Sequence, residues 1–280
     1  VIFNYKQYQV EYLQFGHGKK ILLAFHGFGQ DATIFYNIEA AIAPYFTIYS
    51  FNLFHHGKSC FPEGLSPDAP MSMEFNKEWL EAFLTEHQIE SFSLLGYSLG
   101  GRVALSYLHL FPERIESLIL FAPDGIKKSF WYHFATQNHR GKKLFRRMIT
   151  RPDLFFRIVK YLRMMRLIPQ PMEKFLHAQF GKEELRKLIF HVWNSYSRIE
   201  TPVRITKRIL TEQNIPTLVF TGMYDPVLNK EIGQILLKGL ESKVKWISLP
   251  SGHHLLKPTL CEEIHREVYQ HIIMSESEVN

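Results

Sequence analysis

The chain has almost no cysteine. Cys60 and Cys261 are the only two in 280 residues, and they form neither a CxxC pair nor a zinc-site spacing. Such usage fits a reducing compartment, so a cytoplasmic setting is expected, although two cysteines do not exclude export. No apolar run reaches the roughly 18 residues that a spanning helix needs, so no membrane span is expected. No basic segment followed by an apolar stretch opens the chain, and no signal peptide is expected in it. Val1 in place of Met leaves the native start open. Neither an internal repeat nor a low-complexity tract is present, which argues against a solenoid or a linker-dominated chain. The polar end, Ser275 to Glu278, is expected to fray. Neither a cofactor nor a metal is expected.

Apolar material, in contrast, is abundant. The chain is 46% apolar and 14% aromatic, and its length suits one large domain or one domain with an insertion. Its net charge of +6 is unevenly spread. Asp124 to Arg204 holds 18 Lys+Arg against 6 Asp+Glu, or +12, while the remainder holds 15 against 21, or −6. The asymmetry suggests an anionic ligand or surface near that one segment. Nucleic acid is not expected as a partner, because basic charge without a recognised motif is weak support for it.

Strand-like and helix-like runs alternate along the chain. Ile21 to Phe25, Phe46 to Leu53, Ser91 to Leu95, Ser117 to Phe121, Thr217 to Thr221 and Val244 to Leu249 are short, continuous apolar strands. Between or after them lie helical patterns at Thr33 to Ala43, Phe75 to His87, Arg102 to Leu110, Val203 to Thr211, Lys230 to Leu240 and Thr259 to Ile273. Short apolar strands separated by helices imply an α/β fold, a mostly parallel, doubly wound sheet covered on both faces. Val10 to Phe15 is expected to pair with Ile21 to Phe25 through a turn at Gly16-His17-Gly18. Only the stretch from Asp124 to about Glu200 breaks the rhythm. It reads as several short helices broken by Gly141, Pro152, Pro169, Pro171 and Gly181. Residues 124–200 are therefore expected to form a helical cap inserted in a core of residues 1–123 and 201–280.

Gly96-Tyr97-Ser98-Leu99-Gly100 sits directly between a strand and a helix. A Gly-x-Ser-x-Gly there makes a turn so tight that the serine is strained and larger flanking side chains collide. The turn lifts the hydroxyl clear of the sheet edge. A serine needs a base to take its proton and a carboxylate to orient that base. Groups at the carboxyl ends of parallel strands converge on one crevice, which locates both. Asp225 follows the strand Thr217 to Thr221, and His253 follows the last strand. The order Ser98, Asp225, His253 matches the Ser…Asp…His order expected with an elbow of this kind. His254 competes with His253, which is favoured because Gly252 lets the loop pass close to the elbow. Asp124, ending the strand before the insertion, is a second candidate acid. Asp225 is preferred to it. An oxyanion formed on attack needs fixed N–H donors. Leu99 N–H comes with the elbow, and Phe28 N–H in His26-Gly27-Phe28-Gly29-Gln30 is the second candidate. His26, Tyr97, Arg102 and Asp124 border the same crevice and are candidate substrate contacts.

On these residues the chain resembles the α/β-hydrolase fold superfamily over most of its length. His26-Gly27, Gly96 to Gly100, Asp225 and Gly252-His253 lie where that family keeps its oxyanion loop, nucleophile, acid and base. Asn52-Leu53-Phe54-His55-His56-Gly57-Lys58-Ser59 resembles the family's Asp-x-x-Gly-His-Gly-x-Ser loop, with Asn52 for the usual Asp and His55 for the usual Gly. That loop is mainly structural in the family, so the departure bears on local geometry. The insertion matches no motif of the family.

Within the insertion, Leu154 to Ile168 places Arg157, Lys160, Arg163 and Arg166 three apart among apolar residues. At that spacing the charges drift by about 60° per step and cover roughly half of a helix. Such a helix could lie on an anionic membrane, cover an acyl pocket, or pack on its neighbours with a solvated basic face.

The resemblance implies a serine hydrolase that cleaves a carboxylic ester or thioester through an acyl-enzyme. The expected partner is a small acyl or anionic substrate. Gly96 to Arg102 also resembles the elbow of the menaquinone-pathway enzyme that eliminates pyruvate on this fold, where Arg102 and a basic cap would suit a polyanion. Related carbon–carbon bond hydrolases share the triad. A binding protein that lost catalysis is a third class, and fold alone separates none of these.

Overall fold

Branched and aromatic residues in short runs set the strands, and the burial of whole runs sets their parallel arrangement. The computed structural model describes residues 1–62, 65–66, 69–126, 130–225, 235–236, 238–241 and 243–274. The strands are β1 (Ile2–Tyr5), β2 (Tyr8–Phe15), β3 (Lys20–Phe25), β4 (Phe46–Phe51), β5 (Phe92–Tyr97), β6 (Ile115–Phe121), β7 (Thr217–Gly222) and β8 (Val244–Leu249). They form one sheet in the order β1-β2-β4-β3-β5-β6-β7-β8, antiparallel at β1-β2-β4 and parallel from β4 to β8. Every residue of β5 and β7 is buried, as expected of strands covered on both faces. The buried hydroxyls of Ser93 and Ser117 satisfy each other across β5 and β6 at 2.8 Å.

Helices α1 (Glu39–Ile42), α2 (Met73–Glu86), α3 (Leu99–Leu110), α4 (Phe130–Gln137), α5 (His139–Thr150), α6 (Pro152–Met164), α7 (Gln170–Phe180), α8 (Glu183–Ser195), α9 (Val203–Glu212) and α10 (Cys261–Val268) complete the described elements. Alternation along β3 divides the core in two. Leu22 and Ala24 join Ile42, Ile264 and Val268 on one face. Phe25 turns to the other, stacking on Phe51 at 5.4 Å and meeting Tyr107 of α3 at 5.2 Å. Each fully buried aromatic of this kind contributes about 1.5–3 kcal/mol. The expected helix at Thr33 to Ala43 is a 3-10 turn, Ala32–Ile38, running into α1, with the Asp31 carboxylate accepting from Thr33 N–H at 2.8 Å. Thr259 to Ile273 is likewise divided into a 3-10 turn, α10 and a π-type turn at Tyr269–Ile273. Most of the expected helix at Lys230 to Leu240, and the polar end 275–278, lie outside the described residues.

One expected pairing is corrected. Strand β2 does not pair with β3; it runs antiparallel to β4, from Tyr12 opposite Phe51 to Phe15 opposite Ile48, and β3 lies on the far side of β4. Gly16-His17-Gly18 is a crossing over the start of β4 rather than a hairpin turn. Gly16 is at φ +82°, His17 N–H donates to Ala43 O at 3.1 Å, and a Cβ on Gly18 would overlap the Tyr45–Phe46 peptide. Glycine is needed there for close passage of two backbones.

The chain divides into two compact units. One comprises Val1–Glu63, Ser72–Lys127 and Ile199–Asn280 and contains the sheet; the other comprises Gly64–Met71 and Lys128–Arg198. The described elements of the second unit are all helices. Its core stacks Phe155 on Phe180 at 4.4 Å and sets Phe145 against Phe190 and Trp193, each at 5.4 Å. The buried Arg186 guanidinium donates to Ile149 O (3.2 Å), Phe180 O (2.9 Å) and Gly181 O (3.0 Å), tying the C-terminal ends of α5 and α7 together. Gly141 and Pro171 do not break helices. They lie in the first turns of α5 and α7. The expected helix from Leu154 to Ile168 is also corrected, because α6 stops at Met164. Arg166, at φ +58°, donates its N–H to Arg163 O at 3.0 Å, and Leu167 N–H donates to Leu162 O at 2.9 Å. This paired-bond ending usually takes glycine where Arg166 stands.

Candidate active site

Strand β5 ends at Tyr97 and α3 begins at Leu99, so Ser98 alone makes the turn. Its backbone sits at φ +51° and ψ −114°, a conformation that costs an L-residue about 1–3 kcal/mol. The surroundings hold it there. Ser98 N–H donates to Phe121 O at 2.9 Å, and its carbonyl accepts from Gly101 N–H at 2.8 Å and Asp124 N–H at 2.9 Å. Both elbow glycines are sterically required. A Cβ on Gly100 would overlap the Phe25 carbonyl, and one on Gly96 would lie 2.5 Å from Gly100 O.

Beyond β8 the chain returns to this turn. His253 Nε2 lies 3.1 Å from Ser98 Oγ, and His253 Nδ1 lies 2.8 Å from Asp225 Oδ2. The Asp225 side chain, just after β7, is fully buried. An ionised carboxylate only accepts, so Nδ1 carries the proton and Nε2 turns its lone pair to the hydroxyl. That tautomer is the one a general base needs. The two alternatives that the sequence offers, His254 and Asp124, lie outside this hydrogen-bonded series. His254 is exposed and makes no hydrogen bond to Ser98 or Asp225. Partial desolvation of its ring by neighbouring groups, then His253, pushes its pKa down. The Asp124 carboxylate is engaged elsewhere, 2.7 Å from Arg102 Nη2 and accepting from its neighbour Gly125 N–H at 2.7 Å.

The loop after β3 lies against the elbow: a Cβ on Gly27 would stand 3.2 Å from both Ser98 Cβ and Tyr97 Cδ1. Two of its N–H groups are pinned. Gly27 N–H donates to Gln30 Oε1 at 3.2 Å, and Gly29 N–H donates to His56 Nε2 at 3.0 Å. Phe28 N–H, between them, and Leu99 N–H, in the first turn of α3, have no partner among the described residues. Two unengaged donors beside a serine hydroxyl can hold an anionic oxygen, and the helix N-terminus adds its partial positive charge.

Three candidate substrate contacts are corrected. His26 is fully buried. Its Nε2 accepts from Leu53 N–H at 3.0 Å and its Nδ1 donates to Gly27 O at 2.7 Å, so it braces the loop and offers nothing outward. Burial, with a smaller push from His56, lowers its pKa to about 3, which keeps it neutral. Tyr97 is buried, and its hydroxyl donates to His253 O at 3.0 Å; burial, then the Asp225 carboxylate, pushes the phenol upward. Arg102 is buried against Asp124. Asp124, half exposed, is the member of the four that still reaches solvent.

The residues that steady the site from behind were not legible as such. His56 belongs to the Asn52 to Ser59 loop, whose unusual residues prove compatible with it. Asn52 accepts from Ala32 N–H at 2.7 Å and donates to Glu11 Oε2 at 2.7 Å, and His55 takes the left-handed conformation at φ +73° without glycine. Burial keeps His56 neutral-prone, lowering its pKa. Ser251, which donates to His254 O at 2.7 Å and accepts from Lys257 Nζ at 2.9 Å, fixes the histidine loop. Among the described residues no group of three or more His, Cys, Asp or Glu could hold a metal. No described helix is long and apolar enough to cross a membrane.

The family description "alpha/beta hydrolase fold" matches residues 20–258. The chain belongs to that family. A pimeloyl-[acyl-carrier protein] methyl ester esterase of Wigglesworthia glossinidia brevipalpis is 25% identical over 259 residues, covering 85% of this chain and 88% of that protein. An uncharacterized protein of Mycobacterium tuberculosis is 33% identical over 113 residues, which are 40% of this chain and 31% of that protein. The match thus spans about a third of that relative's length. Among solved structures, the haloalkane dehalogenase DbeA of Bradyrhizobium elkani aligns with a TM-score of 0.64 at 20% identity, covering 99% of this chain and 98% of that one. An esterase and a dehalogenase on one fold leave the chemistry to the site.

Proposed function

We propose that the protein is a serine hydrolase that cleaves a carboxylic ester or thioester through an acyl-enzyme. The observation that carries the reading is the hydrogen-bonded series Ser98, His253 and Asp225, which follow β5, β8 and β7 at one edge of the sheet. His253 takes the Ser98 proton as the hydroxyl attacks the acyl carbon. Asp225 stabilises the imidazolium that results, and the N–H groups of Phe28 and Leu99 hold the oxyanion. His253 then protonates the departing alcohol or thiol, and water, activated by the same imidazole, releases the acid. By this reading the segment 124–200 selects substrate and takes no part in the chemistry. The similarity to an ester esterase along most of both chains supports the ester class. The elimination reading rests on the likeness of Gly96 to Arg102 and has Arg102 and the basic segment meet a polyanion; of these, the Arg102 guanidinium is paired with Asp124.

The test is labelling with a fluorophosphonate, followed by peptide mapping and competition by a chain-length series of p-nitrophenyl esters. The adduct is expected on Ser98, and esters of the preferred length should protect it. Folded protein that takes no label, or takes it on another serine, would overturn the reading.

A further inference from the structure

Helix α6 turns an unusual face outward. Its inner side is apolar, with Phe155 and Val159 buried, as an amphipathic helix requires. The outer side should then be polar throughout, and it is not. Ile158 is 39% exposed, Tyr161 57% and Met164 72%, and beyond the helix end Met165 is 52% and Leu167 63% exposed. At 100° per residue the three helical members step by about 60° across the outward face. Arg157 and Lys160 are interleaved with them, one on either side of Met164, both exposed and without a carboxylate partner among the described residues. Arg163 differs from them, since its Nε lies 3.6 Å from Glu173.

The helix ending adds an independent observation. Arg166 occupies the left-handed position that glycine fills at least cost, which sets an exposed guanidinium between Met165 and Leu167. The surrounding charge has one sign. From His139 to Arg166 there are ten Lys+Arg against the single acid Asp153.

We propose that the outward face of α6 and its terminal turn docks on an anionic lipid bilayer, lying in the plane of the interface. The charge pattern calls for a polyanionic surface, and the long, unbranched or aromatic side chains exposed among the charges call for hydrocarbon to enter. A nucleic acid would satisfy the first requirement and leave Met164 and Leu167 without partners. The docking does not depend on Ser98 being a nucleophile.

Co-sedimentation of the whole protein with vesicles tests this, comparing phosphatidylcholine alone with phosphatidylcholine plus phosphatidylglycerol. Binding is expected only with the anionic lipid, weakening as salt is raised. Neutralising each of Arg157, Lys160 and Arg166 to Gln should lower the partition coefficient about fivefold per charge. The double variant Met164→Ser, Leu167→Ser should also lose binding, although its charge is unchanged. These positions are exposed, so circular dichroism and thermal melting should show the variants folded. Folded wild-type protein that ignores anionic vesicles would overturn the proposal. So would a serine variant that binds as well as wild type, because the surface would then read polyanions without entering lipid; parallel binding to a short oligonucleotide distinguishes that case.

Discussion

Replacing His26 tests whether the loop behind the serine is braced by a permanently neutral imidazole. In the folded protein its pKa is lowered from 6.5 to about 3, chiefly by burial. In the unfolded chain it should titrate near its ordinary value. Between those values the unfolded state binds a proton that the folded state refuses, so acid favours unfolding. The stability present above pH 6.5 is lost as pH falls, at about 1.4 kcal/mol per unit from this residue, and the loss ends near pH 3. Over the whole window it amounts to roughly 5 kcal/mol, comparable with the total stability of a marginal domain. Urea unfolding of wild type, His26→Gln and His26→Asn, measured at steps from pH 7 to pH 4.5, separates this residue from the rest. Both variants should be less stable at pH 7, having lost bonds to Gly27 O and Leu53 N–H. Their stability should nevertheless fall less steeply with acid, by about 1.4 kcal/mol per unit, while His56, His109, His254 and His271, whose pKa values desolvation also lowers, contribute to the slope that remains. Parallel pH profiles for wild type and both variants would refute the argument that His26 is held neutral.

Other perturbations bear on the site and the helical unit. His253→Ala should abolish ester turnover while His254→Ala leaves most of it; steady-state kinetics that reversed the two would contradict the observed contacts. Asp225→Asn should cost about four orders of magnitude in kcat by favouring the wrong imidazole tautomer, and Asp124→Asn far less. Equal losses would mean that the acid role is shared. Arg166→Gly should raise the unfolding free energy by about 1 kcal/mol, since glycine takes the left-handed conformation freely. If thermal melting shows no gain, Arg166 is not strained at that helix end.

How much of this could be read from the chain depended on whether the controlling forces were local. The elbow was legible because its requirement is steric and confined to five residues, Gly96 to Gly100. Asp225 and His253 were legible because parallel strands deliver their ends to one edge of the sheet. The pairing of β2 was not, since Gly16 and Gly18 look the same in a hairpin turn as in a crossing, and the deciding neighbour is Phe46. The end of α6 was overrun for a related reason. Its apolar and basic periodicity continues past Met164, and the usual stop signal, glycine, is replaced by Arg166. His26, Tyr97 and Arg102 were correctly placed near the crevice and wrongly turned toward substrate. Each is consumed by a partner distant in sequence or hidden in the turn: Leu53, His253 and Asp124. Spacing along the chain locates such a residue but does not reveal which way its polar atoms face.

The proposed acyl-enzyme itself offers the most direct measurement. A p-nitrophenyl ester should be mixed with the enzyme, quenched in acid during turnover and analysed by intact-protein and peptide mass spectrometry. The mass of one acyl group should appear on the peptide containing Ser98, preceded by a burst of p-nitrophenol equal to the enzyme concentration. The adduct should accumulate least in His253→Ala, in which the hydroxyl keeps its proton. Turnover with no acyl mass at any time, or with the mass on a residue other than Ser98, would contradict nucleophilic catalysis by this serine.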